Sequence, residues 1–68
     1  MMSALIHEHQ LLTELQGWED AAQAGLLDTL PIVRLLDIGE QLLGVRHSQD
    51  ALRAFVLAGK AVYVGAVD

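Results

Sequence analysis

The stretch LLGVRHSQDALRAFVLAGK, residues 42–60, admits two architectures. Read one way, it is the turn and second helix of a helix-turn-helix. Gln49 and Arg53 would then stand near the front of a helix entering the major groove, where they could read adenine and guanine edges. Read the other way, it is a connection between two helices that pack on each other. Both readings need a helix ending at Gly44 and another starting after Ser48, a good N-cap that sets Asp50 favourably in the first turn. Three features favour the second reading. The connection from Gly44 to Ser48 is five residues, longer than the usual turn of about 3–4. Asp50 would face phosphates. The chain holds four cations, whereas a DNA reader usually neutralises roughly 6–10 phosphates. DNA is therefore not expected as a partner.

Working outward, Leu52, Phe55 and Val56 are read as the buried face of this last helix. Gly59 is expected to end it, or nearly so, with the remainder an apolar tail at a dimer interface. Residues 60–67 stay open. The β-branched run AVYVGAV, residues 61–67, suits a strand, yet Leu52, Phe55, Val56, Val62 and Tyr63 also share one helical face. Upstream, LLDTLP, residues 26–31, restarts the chain: Asp28 or Thr29 can cap, and Pro31 suits the first helical turn. The helix that follows is expected to reach about Leu43. Leu30, Ile32, Val33, Leu35, Leu36, Ile38, Leu42 and Leu43 leave it only a narrow polar strip of Arg34, Asp37 and Gln41, with Glu40 beside it. A helix so apolar around its girth needs cover on more than one side.

The first helix is expected from an N-cap at Ser3 to about Ala24, with Gly25 as its terminator. Leu11, Leu15, Trp18 and Ala22 step by four, three and four, and Leu5 and Leu12 widen the stripe. Gly17, beside Trp18, either permits a close backbone approach or is a tolerated weak point costing about 1 kcal/mol relative to Ala.

Composition limits what such a chain does alone. Its 68 residues make a single small helical domain, residues 1–68. A chain of this size buries only roughly 60% of its unfolded surface, and its core rarely supplies more than about 3–5 kcal/mol. No cysteine offers a disulfide or a thiolate metal site, yet 53% of the residues are hydrophobic, thirteen of them leucine. The expected resolution is a homodimer, intertwined or packed face to face. The expected fold is thus all-α: a short helical hairpin plus a third helix. Ile32, Leu35, Leu36, Ile38, Leu42, Leu43, Phe55 and Tyr63 are the candidate dimer interface.

The net charge of −5 is unevenly placed: residues 1–30 carry Glu8, Glu14, Glu19, Asp20 and Asp28 with no Lys or Arg, and all four cations follow. That half repels nucleic acid. The opening MMSALIHEHQ lacks a basic region followed by an apolar run, and no apolar stretch approaches the ~20 residues that span a bilayer. A cytoplasmic protein without membrane contact is expected.

Chemical motifs are wanting. His7 and His9 are two apart, so on a helix they point in different directions, whereas a zinc pair needs spacing i, i+4. His47 and Ser48 are sequence neighbours, not a triad, and the single glycines form no phosphate-binding loop. No enzyme activity, cofactor, metal or small-molecule substrate is expected. What remains is binding to another protein. Glu8, Glu14, Glu19 and Asp20 would steer the first helix toward a basic surface, and apolar side chains left over from the dimer, with Trp18, Tyr63 and Phe55 as candidate anchors, would supply affinity.

In length, acidity and helical texture the whole chain resembles the small phage-encoded helical proteins that disable host factors, including anti-activators of quorum-sensing transcription regulators. The resemblance implies an inhibitor or adaptor of a larger host protein, such as a DNA-binding regulator. It rests on no diagnostic motif and assigns no residue a role.

Overall fold

The computed structural model describes the backbone of residues 2–67 and the side-chain surroundings of residues 6–66. Three helices, α1 (Met2–Gln23), α2 (Ile32–Gly44) and α3 (Ser48–Val67), are joined by a 3₁₀ turn at Leu27–Thr29 and a short connection at residues 45–47. No strand occurs among the described residues, so the fold class is all-α.

α1 begins before the expected cap. Ser3 lies inside it, because the helix already includes Met2. The part expected of the Leu5 side chain falls outside the described residues. The other end is as the sequence implies. Gly25 adopts φ 89°, its amide donates to the Ala22 carbonyl at 3.0 Å, and the Leu26 amide donates to Ala21 at 3.0 Å. That crossed pair needs a left-handed residue, which glycine supplies without Cβ strain. Gly17 makes no close approach: a β-carbon there would meet nothing within 4 Å.

The next turn forms differently from expectation. Thr29 donates its hydroxyl to the Leu26 carbonyl at 2.9 Å, inside the 3₁₀ turn, and no side chain caps α2. Leu30, preceding a proline, is held extended at φ −71°, ψ 140°, which stops any helix from starting earlier. Pro31 is therefore the cap residue rather than part of the first turn, and its carbonyl accepts the Leu35 amide at 2.9 Å.

Gly44 does not terminate α2. The helix includes it, and the left-handed position falls on Arg46 at φ 69°. The His47 amide donates to Leu42 at 2.9 Å and the Arg46 amide to Leu43 at 3.2 Å, the same crossed pattern that closes α1. The connection is thus three residues, not five, and its length no longer counts against a helix-turn-helix. Nor is Ser48 the cap of α3. It lies within the helix, and the His47 carbonyl accepts the first intrahelical bond, from Ala51 at 2.8 Å.

α3 passes through Gly59 and carries AVYVGAV as helix to Val67, so no separate tail forms. The reason lies on its inner face. Ala51, Ala54, Ala58 and Ala61 are all buried, at spacings of three, four and three, and this helical rhythm continues past Gly59. Small side chains let α3 lie close to its neighbours. α3 thus buries alanines, with Leu57, and leaves larger residues outside: Leu52 and Val56, expected inside, are 61% and 48% exposed.

The core joins Leu11 and Leu15 of α1, Leu30 of the connection before α2, Leu35, Ile38 and Leu42 of α2, and the inner face of α3. Leu12, Trp18, Ala22, Ile32 and Phe55 are partly buried against it. No charged or polar residue is buried, and no buried side-chain polar atom lacks a partner among the described residues.

Candidate interaction surface

The acidic face expected on α1 is largely engaged within the chain. Glu14 accepts two bonds from Arg34 of α2, from Nη2 at 2.7 Å and Nε at 2.8 Å, and a third from Trp18 Nε1 at 3.2 Å. The Arg34 guanidinium holds this carboxyl below its ordinary value, helped by Trp18 and opposed by partial burial. Arg34 is in turn stabilised in its charged form, chiefly by Glu14, and donates to Asp37 at 2.8 Å.

Glu19 forms a matching clamp on α3, accepting Arg53 Nη2 at short range and Nε at 3.2 Å. Arg53 also donates to Asp50 at 2.5 Å. Two fork-shaped guanidinium–carboxylate pairs therefore fix α1 to both other helices. Both are partly exposed, so they set orientation more than they add stability.

Glu8 makes the third link. It accepts His47 Nε2 at 3.1 Å, while His47 Nδ1 stands 3.4 Å from Asp50. Carboxylates only accept, so the doubly protonated ring satisfies both, and Glu8 foremost raises the His47 pKa above its ordinary value. Asp50 joins this histidine to Arg53, giving a continuous chain of polar contacts from Glu8 to Glu19.

Of the five residues proposed for partner binding, Glu8, Glu14 and Glu19 thus serve internal pairs. Trp18 is half-buried with its indole N–H on Glu14, and exposed Asp20 accepts Gln16 Nε2 at 3.1 Å. His7 Nε2 lies 2.5 Å from Gln41 Oε1 and His9 is exposed; no group of three His, Cys, Asp or Glu side chains placed to hold a metal occurs among the described residues. Arg53, the residue suited to reading guanine, has its donors on Glu19, Asp50 and Gln16. No described helix is long and apolar enough to cross a membrane.

The candidate dimer residues divide. Leu35, Ile38 and Leu42 are fully enclosed in the chain's own core, and Ile32 and Phe55 are half-buried. Leu36, Leu43 and Tyr63 are exposed. Val33, Leu52 and Val56 are exposed as well, Val33 to 82%. Sequence reading sent Leu52 and Val56 inward because they are large and apolar, and the alanine spacing of α3 was the signal pointing the other way; Val33 belongs to the helix read as needing cover on more than one side.

The exposed groups form one face. Phe55 rests on Gly39, and this contact separates two flanks on each helix. At about 100° per residue, Leu36 and Leu43 lie on one side of Gly39 and buried Leu35, Ile38 and Leu42 on the other. Leu52, Val56 and Tyr63 lie on one side of Phe55, and buried Ala51, Ala54 and Ala58 on the other. Because the buried flanks share a single core with α1, the exposed flanks share the opposite side. At the α2 end this face opens into a depression of about 810 Å³ lined by Pro31, Ile32, Val33, Leu36 and Glu40, among others. No known protein family, curated protein or solved structure matches this chain.

Proposed function

We propose that the protein is a non-enzymatic protein–protein interaction module whose working surface is the apolar α2–α3 face. One observation supports this reading above others: α3 turns Ala51, Ala54, Ala58 and Ala61 inward with Leu57 and leaves Leu52, Val56 and Tyr63 exposed. A helix optimised for a free monomer would do the reverse. The hairpin expected of the first two helices, with the third packed beside it, belongs to this proposal, since α1 would back the α2–α3 face from behind.

The roles expected of such a module are inhibitor, adaptor or subunit of a larger assembly. Each would engage its partner by burying this face. Steering by the α1 carboxylates plays little part, because Glu8, Glu14 and Glu19 already face His47, Arg34 and Arg53. Binding is then carried by apolar burial, which added salt does not weaken.

The test compares complexes retained by tagged wild-type protein with those retained by the double variant Leu52→Glu/Val56→Glu. Loss of specific companions from the variant, with wild-type capture unchanged between low and high salt, is the expected result. Capture that survives both substitutions, or collapses with salt, removes the proposal.

A further inference from the structure

We infer that the occupant of the α2–α3 face is a second copy of this chain, packed face to face about a two-fold axis with α1 on the outside of both copies. The inference rests on reading this face as a docking surface, and three observations select the occupant.

The first is area. Val33, Leu36, Leu43, Leu52, Val56 and Tyr63 together leave on the order of 700 Å² of side chain uncovered, close to the roughly 800 Å² that each partner gives a standard interface. Half-buried Ile32 and Phe55 add to it. A monomer's largest apolar patch is usually no more than about 300–600 Å², and here the whole surface is 4686 Å².

The second is charge. In a two-fold contact a surface meets itself, so a charge near its centre would oppose its own copy. The groove between the two helices, around Phe55, Leu36, Leu43 and Leu52, carries none. Exposed Glu40 stands further out on the α2 ridge, between Leu36 and Val33, and exposed Lys60 on the outer side of α3. A face evolved for a basic or acidic partner would carry complementary charge instead.

The third is shape. Two adjoining helices offer a ridged surface that an identical pair fits, and joining them yields four helices around a continuous apolar interior. The internal clamps bear on which elements take part. Glu14–Arg34 and Glu19–Arg53 hold α1 against its own α2 and α3, so no helix needs to be exchanged between copies. The assembly is face-packed rather than intertwined.

Sedimentation equilibrium of the purified chain from about 1 to 500 µM tests this. The expected wild-type mass is twice the 7.4 kDa of the chain. Leu52→Glu/Val56→Glu should sediment as a single copy while keeping the helical circular dichroism signal and a cooperative melt. Should that variant unfold, Leu43→Lys, on the other helix of the face, provides the same comparison. Equilibration of wild type with an isotopically labelled copy should form mixed dimers without global unfolding, because no helix has to be released.

A single-copy wild-type mass at 500 µM, or a folded variant that remains dimeric, overturns the inference. Mixing that requires denaturant overturns the face-packed form. These results are separable from failure of the wider reading. A monomeric protein whose companions still depend on Leu52 and Val56 remains an interaction module with a different occupant. A monomer that retains nothing ends both proposals.

Discussion

The Phe55 ring occupies the space that a β-carbon on Gly39 would need, with Cε1 2.5 Å from that position. Gly39 is buried within α2, where glycine costs about 1 kcal/mol relative to alanine, so only a close neighbour justifies it. Gly39→Ala should therefore lower stability by about 1–2 kcal/mol net, as overpacking outweighs the gain in helix propensity. Combined with Phe55→Ala, the same substitution should become neutral or stabilising. Urea titration of the four proteins at one fixed concentration measures this coupling; an equal penalty in both backgrounds would show that the contact is not the cause.

Arg46 occupies a left-handed conformation at φ 69° that side chains generally avoid. Arg46→Gly should raise stability by about 0.5–1 kcal/mol, even though glycine adds freedom to the unfolded chain. Arg46→Val should do the opposite, since a β-branched residue is worst suited to this conformation. Thermal melts of the pair give the ranking directly. If valine proves no worse than arginine, the turn is not left-handed at this position.

His47 lies between Glu8 and Asp50, and its folded pKa is raised, above all by the bond to Glu8. Its contribution to stability is then complete below the unfolded value of about 6.5 and fades as pH rises through the higher folded value. The melting temperature of wild type should exceed that of His47→Gln at pH 5.5, and the gap should narrow toward pH 9. A gap independent of pH, or one that widens with pH, contradicts the pairing. Glu8→Gln should return the histidine toward its ordinary titration, read by NMR of the ring protons.

The Glu14–Arg34 clamp is bidentate but partly exposed, with its side chains 33% and 41% accessible. A double-mutant cycle with Glu14→Gln and Arg34→Met should give a coupling of about 0.5–1 kcal/mol, near the upper end for exposed pairs and smaller in high salt. As Glu14 is held below its ordinary value, the coupling should persist above pH 4.5 and disappear as pH falls through its folded value. A coupling near zero at low salt would show that the two side chains do not act as a pair.

Much of this architecture was legible in the sequence. The stripe of Leu11, Leu15, Trp18 and Ala22 turns inward, and Gly25 closes α1 by the expected geometry. Gly44 misled because a glycine near a helix end suggests its terminator, while the hydrogen bonds place the left-handed residue at Arg46. Gly59 misled for a related reason: tertiary burial of Ala58 and Ala61 carries α3 past a residue of low propensity. The surface was harder to read. Side-chain size pointed Leu52 and Val56 inward, but a tight three-helix contact selected the alanines. The acidic half suggested an electrostatic surface because pairing across 34 or 39 positions, as in Glu19–Arg53 and Glu8–His47, leaves no local signature.

These long separations bear on how the chain assembles during translation. α1 is made before α2 and α3 and bears four carboxylates and no Lys or Arg, and two of its counterions, His47 and Arg53, follow only after α2. Its final seating must await α3. Until α3 has been made, α1 is an acidic helix lacking the partners of Glu8 and Glu19.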